Sequence, residues 1–261
     1  MNRGIRQATT KPHAAPCEAR GSSLSHLSYV LGGMHWELGR GRSVGKYDLH
    51  IHTKYSIDAA IEPEQVVRAA KRKGLGGVAI TDHGTIKGGV MAKKLAAEDF
   101  MVVVGAEILT ERGEIIGLFL EEEVHARNFY EVISEIRRQG GIIVLPHPFD
   151  VMRRSSFHPS DGDARFFDCV EAFNSRCVRR KYNERAVAFA MKHHLSLTAG
   201  SDAHFAWEIG NAFVLTEASD EEELRRKILK GETALWGRVS SPLNHGFSKV
   251  LKAWKRGKMR I

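Results

Sequence analysis

The stretch Tyr47-Asp48-Leu49-His50-Ile51-His52-Thr53 carries the first strong structural and chemical signal in this chain. A β-strand places alternate side chains on one face, so His50 and His52 are expected to point the same way. Two imidazoles about 7 Å apart at the end of a strand can hold one divalent metal ion between them. Because a lone His-x-His often occurs by chance, this prediction depends on whether the chain supplies further ligands.

Predicted strands and helices alternate from residue 46 onward. Strands are predicted over residues 47–52, 75–81, 101–104, 114–120, 142–145, 167–173, 195–199 and 212–215. Helices are predicted from residue 62 to the stop at Gly74 and over 90–97, 129–138, 181–193 and 221–230. One hairpin is expected to join residues 108–111 to 114–120. The alternation is typical of parallel βαβ units, and about seven of them predict a closed or nearly closed α/β barrel.

The two ends of the chain differ from this pattern. Residues 1–45 are rich in Arg, Ser and Gly and poor in acids. They are expected to be a dispensable leader, a targeting segment, or the product of an over-long start with Met34 nearer the true beginning. Residues 236–261 are expected to form a basic tail outside the barrel domain of residues 46–235. A tail with Trp254 among lysines and arginines could also contact nucleic acid.

Composition restricts the class of protein. Hydrophobic residues make up 43% of the 261 residues, which excludes a disordered chain and suits one barrel domain of about 250 residues. The net charge of +8, much of it near the two ends, favours anionic partners. Cys17, Cys169 and Cys177 show no CxxC spacing and indicate free thiols in a reducing compartment, so a cytoplasmic location is expected. No apolar run approaches the roughly 20 residues that a membrane span needs.

Ligand-type side chains stand at the carboxyl ends of successive predicted strands. They are His50, His52, Asp82, His83, Glu107, His147, Glu171, Asp202 and His204. In a βα barrel these strand ends meet at one rim, where active sites are built. Asp202 and His204 repeat the spacing of the first histidine pair. For Glu171 and Glu114 two interpretations stay open: each is either a metal ligand or an ordinary strand residue.

Several candidates have a plainer interpretation. Asp58, on the loop after the first strand, is either a ligand that reaches back to the rim or a turn residue. Asp82 is expected to orient His83, although it could also be a ligand or a turn former. Glu107 can bridge two ions by giving one oxygen to each, and its alternative is a solvated strand-end glutamate. His147, held between two prolines, is either a ligand or a turn histidine.

Five motifs in a fixed order resemble one known family. They are DLHIHTKYSID (48–58), AITDHGTIKG (79–88), GAEI (105–108), LPHP (145–148) and AGSDAH (199–204). The resemblance is to the PHP (polymerase and histidinol phosphatase) family of metal-dependent phosphoesterases, and it covers roughly residues 46–235. The later part is similar to stand-alone PHP proteins of the TrpH-like kind rather than to a polymerase-attached domain. It implies a single-domain, distorted (βα)7 barrel, similar to a TIM barrel, with two or three divalent ions, usually Mn, Zn or Fe.

The resemblance also implies which residues hold each ion. The implied ligands are His50, His52 and Asp202 for the first ion, Glu107 bridging the first and second, His147 for the second, and Asp58, His83 and His204 for the third. Many relatives supply a further histidine to the second ion after the bridging glutamate. Here Glu114 is the expected substitute, since a carboxylate also binds Mn or Zn. Ile57, between Ser56 and Asp58, is a second departure, so the first loop is expected to differ.

Such a ligand set implies phosphate ester hydrolysis. Clustered ions lower the pKa of a bridging water and clamp the phosphate oxygens, so a metal-bridged hydroxide is the expected nucleophile. Glu107 and Asp202 are therefore catalytic candidates. Arg176 is the best placed cation to hold a phosphate oxygen, with Lys54 and Arg153 as alternatives. The expected substrate is a phosphorylated small molecule, a nucleotide or an oligonucleotide end, and no membrane or obligate protein partner is expected.

Two other functions stay open. Histidinol phosphatase activity fits the same ligands, because the preference for that substrate would lie in the loops. A metal-containing module that binds nucleic acid or a partner without catalysis is the second. A near-complete ligand set favours an enzyme over such a module.

Overall fold

The structure is a computed structural model that describes residues 44–258. The predicted leader covers residues 1–45. Its residues 1–43 lie outside the described residues, and Gly45 begins the first strand. The strands are β1 (Gly45–Ile51), β2 (Gly77–His83), β3 (Met101–Thr110), β4 (Gly113–Leu118), β5 (Ile142–Leu145), β6 (Cys169–Asn174), β7 (Ser196–Gly200), β8 (Ala212–Thr216) and β9 (Ala234–Gly237). The helices are α1 (Pro63–Arg72), α2 (Lys87–Leu95), α3 (Phe129–Arg138), α4 (Arg180–Lys192), α5 (Glu221–Leu229) and α6 (Leu243–Lys258), with a 3-10 helix over Asp161–Phe166.

The nine strands form one sheet that curls into a nearly closed barrel. Their order is β7-β6-β5-β4-β3-β2-β1-β8-β9. The segment that follows β7 returns to β1, where the Asp202 N–H donates to the His50 carbonyl at 2.8 Å and the His52 N–H donates to the Ala203 carbonyl at 2.9 Å. The predicted distorted barrel is therefore confirmed. The hairpin of β8 and β9 extends the sheet beyond β1. β8 pairs antiparallel with the first residues of β1, and β9 pairs antiparallel with β8.

A bulge in β1 sets the direction of the two histidines. The pairing of β1 with β2 shifts register between Asp48 and Ile51. Leu49 belongs to a core cluster that holds apolar residues of every strand from β2 to β9, whereas Ile51 belongs to a cluster with α1 residues such as Val66. The extra residue of a bulge changes which side chains face inward. As a result, His50 follows Leu49 on the inner side instead of alternating with it.

The helices cover the outer face of the sheet. α1 begins at Pro63, whose fixed φ suits the first turn, and it ends before Gly74, which has a φ of +70°. The Asn128 side chain accepts hydrogen bonds from the first backbone N–H groups of α3, whose buried Val132 and Ile136 pack on the sheet. In the part of the chain described here, no helix has the length and apolar character to cross a bilayer.

The strand that carries Glu107 is longer than predicted. Residues 101–104 and 108–111 were expected to be separate strands, but β3 runs without a break from Met101 to Thr110. β3 pairs parallel with β2 and antiparallel with β4 along its outer half, and these two ladders keep it extended. Glu107 therefore lies within a strand that passes the rim, not at a strand end.

The C-terminal segment also differs from expectation. The predicted boundary at residue 235 falls inside β9, and residues 243–258 form α6 instead of a solvated basic tail. The buried or half-buried side chains of α6 are mainly polar, and Asn244, Ser248 and Lys252 make hydrogen bonds to the barrel. Hydrophobic periodicity could not reveal this packing, because the contacts of α6 are polar.

Gly200→Ala should destabilise the barrel at the seam between β7 and β1. A Cβ at Gly200 would lie 2.2 Å from the His50 Cβ and 2.9 Å from the His50 backbone nitrogen. We expect a loss of about 1–3 kcal/mol in the free energy of unfolding, the usual cost of overpacking. Urea denaturation measures it. Gly246→Ala is the control, since nothing lies within 4 Å of its Cβ position; equal stability of the two variants would contradict the close approach.

Candidate metal centre

All nine predicted metal ligands lie together at one rim of the barrel. They are His50, His52, Asp58, His83, Glu107, Glu114, His147, Asp202 and His204. The parallel strands β1, β2 and β7 deliver their residues at their carboxyl ends, whereas Glu114 arrives from the beginning of the antiparallel strand β4. The antiparallel direction of β4 explains why a strand-start residue reaches a rim of strand ends. The role of these residues as ligands stays a prediction.

The first cluster surrounds the two histidines of β1. His50 Nε2 and His52 Nε2 are 3.1 Å apart. Asp202 Oδ1 lies 3.8 Å from the first nitrogen and 3.3 Å from the second. Glu107 completes the group, with Oε1 3.7 Å from His50 Nε2 and Oε2 3.5 Å from His52 Nε2. These four residues are buried, with at most 2% of their surface exposed.

Hydrogen bonds on the far side of each ring fix its tautomer. His50 Nδ1 lies 2.9 Å from Glu171 Oε1, a carboxylate oxygen that can only accept. His52 Nδ1 lies 3.1 Å from Ser56 Oγ, whose own hydrogen is donated to Asp82 Oδ1 at 2.6 Å. Both Nδ1 atoms therefore carry the proton, and both Nε2 lone pairs point at the same place.

This donor set fits a divalent cation. Two imidazole lone pairs and two carboxylates converge in a buried volume, and Asp202 Oδ1 forms no hydrogen bond there. Converging lone pairs repel one another unless positive charge lies between them. Imidazole nitrogen with carboxylate oxygen is the ligand chemistry that Zn and Mn accept in proteins.

Two further clusters share Glu107 with the first. His147 Nε2 is 2.9 Å from Glu107 Oε1 and 3.7 Å from Glu114 Oε2. On the other side, His83 Nδ1 is 3.0 Å from Glu107 Oε2. Its Nε2 faces Asp58 Oδ1 at 3.3 Å, and His204 is the third member of that group. Glu107 is thus the carboxylate that touches all three clusters.

Two of the candidate ligands have a strained backbone. His147 and Asp202 have φ values of +28° and +53°, in the left-handed region that favours glycine. Residues that are not glycine hold such conformations only when the surrounding structure enforces them, and they often mark functional sites. Here the strain turns each side chain from its strand end toward the cluster.

The local electric field favours positive charge at the first cluster and neutrality at His204. Burial alone would lower the pKa of His50, but Glu171, Asp202 and Glu107 together raise it well above its ordinary value. Burial, with Arg176 and His52 nearby, lowers the pKa of His204 to about 3. The His204 imidazole is therefore neutral at pH 7, which is the form that binds a metal ion.

Sequence reasoning missed or misassigned several supporting residues. Asp82 was expected to orient His83, but it accepts hydrogen bonds from Thr53 and from Ser56, so it orients His52 through the serine. Glu171 is turned away from the clusters, holds His50 and accepts from the His147 N–H at 2.8 Å. A serine four residues after a candidate histidine was the signal that could have indicated this relay.

Two arginines border the site, the half-buried Arg153 and the buried Arg176. Arg153 Nη2 lies 2.5 Å from Asp202 Oδ2, and with His50 it holds the pKa of that carboxyl well below its usual range despite the burial. Arg176 is 3% exposed, donates to Ser248 at 3.0 Å and forms an ion pair with Glu208 at 3.6 Å. It is therefore not a surface arginine. Glu208, which sequence reasoning did not select, is buried opposite it.

A cavity of about 800 Å³ opens above the clusters. Its wall includes Asp58, His83, Glu107, Glu114 and His204. Six cationic side chains also line it, namely Arg127, Arg153, Arg176, Lys249, Lys252 and Arg256. Three of these come from α6, the segment expected to be a tail. An anionic ligand is the kind that such a cavity attracts.

Comparison with known proteins agrees with the geometry. Residues 48–153 match the PHP domain, and residues 180–233 match the PHP-associated domain. An uncharacterised protein of Methanocaldococcus jannaschii is 38% identical over 175 residues, which cover 65% of this chain and 69% of the relative. The chain belongs to the PHP family. A second uncharacterised protein from the same organism is 44% identical over 145 residues, which cover 50% of this chain and 82% of that protein.

The fold of this PHP protein also matches a solved structure. A two-domain protein from Bacteroides vulgatus superposes with a TM-score of 0.64 at 18% identity, and the match covers 76% of this chain and 66% of the other. At this level of identity the likeness concerns the barrel alone. The expected PHP-type barrel is confirmed.

Ser56→Ala should weaken metal binding without disturbing the barrel. The hydroxyl fixes the His52 tautomer and also accepts from the His83 N–H at 3.0 Å. Loss of such an outer hydrogen bond typically lowers metal affinity by about 10–100-fold. Calorimetric titration with Mn²⁺ would measure the change. Ser196→Ala, at the opposite end of the barrel, is the control, and equal affinity in both variants would refute the relay.

Proposed function

We propose that this PHP protein is a metal-dependent phosphoesterase that hydrolyses the phosphate ester of a small metabolite, a nucleotide or an oligonucleotide end. The observation that carries the proposal is the convergence of two imidazole lone pairs with Glu107 and Asp202 beneath a cation-lined cavity. The lone pairs and carboxylates suit metal ions, and the cations above them suit a phosphate. The Bacteroides relative is described as containing a predicted PHP-like metal-dependent phosphoesterase, which supports this reading.

The proposed ligands fall into three sets. They are His50, His52 and Asp202 for one ion, His147 and Glu114 for another, and Asp58, His83 and His204 for a third, with Glu107 shared. Two or three divalent ions, Mn, Zn or Fe, fit this nitrogen and oxygen donor set. When bound, the ions supply Lewis acidity: they acidify water and neutralise the charge of phosphate oxygens.

The chain's own residues have distinct tasks in this proposal. Glu107 would balance the charge of ions bound in adjacent clusters, because its two oxygens face different clusters. Asp202 is held by Arg153, so its free oxygen stays directed at the first cluster. Arg176 lines the cavity beside its ion pair with Glu208, and a phosphate oxygen is its proposed ligand.

A substrate panel tests the proposal. With added Mn²⁺, the full chain should release phosphate or nucleotide from at least one of nucleotides, bisphosphorylated nucleotides, short RNA and histidinol phosphate. Elemental analysis should find two or three bound ions. Glu107→Gln keeps the size but removes the charge, so activity should fall by at least about 100-fold with an unchanged circular dichroism spectrum.

Particular results would overturn this reading. A chain that stays metal-free in Mn²⁺ and Zn²⁺ would refute the metal centre. A chain that binds metal but leaves every phosphate ester intact would favour the binding module without catalysis. Activity of Glu107→Gln within a few-fold of wild type would assign Glu107 a structural role. Preference for histidinol phosphate would select that narrower activity.

Arg176→Ala should lower kcat/KM by roughly 1–3 kcal/mol of transition-state stabilisation, the range for a charge-assisted hydrogen bond. Metal content should stay the same, because Arg176 binds the substrate and not the ions. Steady-state kinetics on the best substrate measures the effect. Ser248→Ala is the control, as it removes the hydrogen bond between the Arg176 side chain and α6 but keeps the guanidinium. An equal loss in both variants would mean that Arg176 only anchors the helix.

A further inference from the structure

Helix α6 lies outside both matched segments of the PHP family, 48–153 and 180–233, yet it reaches the candidate metal centre. The C-terminal half of α6 contacts one loop, residues 54–59, which carries Asp58. Two lysines of α6, one turn apart, make these contacts from the same face of the helix. They contact the loop in two different ways.

Lys255 holds the backbone of this loop. Its Nζ donates to the carbonyls of Lys54, Ser56 and Ala59 at 3.1, 2.9 and 2.7 Å. An ammonium group has three hydrogens, so all of its donors are used on one loop. The Ser56 and Ala59 carbonyls flank Asp58 on both sides. The lysine therefore fixes the backbone from which the Asp58 carboxylate projects.

Lys252 holds the carboxylate itself. Its Nζ lies 3.3 Å from Asp58 Oδ2. The other oxygen, Oδ1, is buried without a hydrogen bond and faces His83 Nε2 at 3.3 Å and His204 Nε2 at 3.5 Å. With one oxygen taken by the lysine, the carboxylate presents the second to the two imidazoles.

We propose that α6 builds one position of the metal centre, with Lys255 and Lys252 as positioning residues for Asp58. The inference rests on the proposed function, because it concerns the ion held by Asp58, His83 and His204. The other proposed ligands stand on barrel strands or directly after them, so their geometry depends on the sheet. Affinity for a single ion is thereby linked to the docking of the C-terminal helix.

Lys255→Met in the full chain tests the proposal, because methionine keeps much of the length and removes the ammonium. We expect Mn²⁺ titration calorimetry to show one class of ion weakened by at least about tenfold, the scale for lost outer contacts, with the remaining ions unchanged. Lys252→Gln should weaken the same class. Lys255→Arg should restore part of the affinity, since a guanidinium can still donate to the carbonyls.

Lys258→Met is the matched control. It removes a lysine from the same helix whose Nζ lies over the Trp254 ring at 4.1 Å. Its metal binding should equal that of wild type. Circular dichroism and the melting temperature of every variant show whether α6 and the barrel are intact.

The outcomes separate this inference from the proposed function. A wild-type chain that binds no metal would contradict both the role of α6 and the proposed function. A wild-type chain with two ions, or with three ions that all survive Lys255→Met and Lys252→Gln, would overturn the role of α6 and leave the phosphoesterase proposal standing. Equal weakening of all ions would also overturn it, because the lysines would then support the fold and not one position.

Discussion

The Glu107 and Asp202 carboxylates are buried beside imidazoles whose lone pairs point toward them. Burial of uncompensated charge costs several kcal/mol per ion, so this arrangement is stable only with positive charge close by. The protein supplies part of that charge through Arg153, which contacts Asp202. The hydrogen bonds that fix the ring tautomers point both Nε2 lone pairs at one position, so the remaining positive charge is needed there. The other contacts at the rim hold these buried carboxylates and imidazoles close together.

The barrel meets this need by using strands that run in both directions. β2 and β3 are parallel, so His83 and Glu107 occupy paired positions in their ladder. β4 runs back antiparallel to β3, with Glu114 opposite Leu109. A purely parallel barrel would place the start of that strand at the opposite rim. The change of direction therefore brings a carboxylate to the second cluster, where a histidine is absent from the expected place.

Much of this structure could be predicted from the order of the elements and from ligand-type residues at strand ends. The boundaries of α3 and β5 agree with prediction, because amphipathic spacing and the glycines after α3 determine them locally. The bulge in β1 could not be predicted, since it depends on pairing with two different neighbours. The length of β3 depends in the same way on ladders to distant segments, and the Ser56 relay depends on contact with Asp82.

The inward face of α6 is polar, whereas Leu243, Phe247, Val250 and Trp254 are exposed. The hydrophobic effect therefore contributes little to holding the helix on the barrel. Its contacts are hydrogen bonds and ion pairs, each worth about 0.5–1.5 kcal/mol net. Such a segment opens locally at a much lower free energy than the strands beneath it, and dissolved salt weakens its ion pairs. We therefore expect α6, which forms one wall of the cavity, to unfold separately, and we expect its docked population to respond to ionic strength while the barrel stays folded.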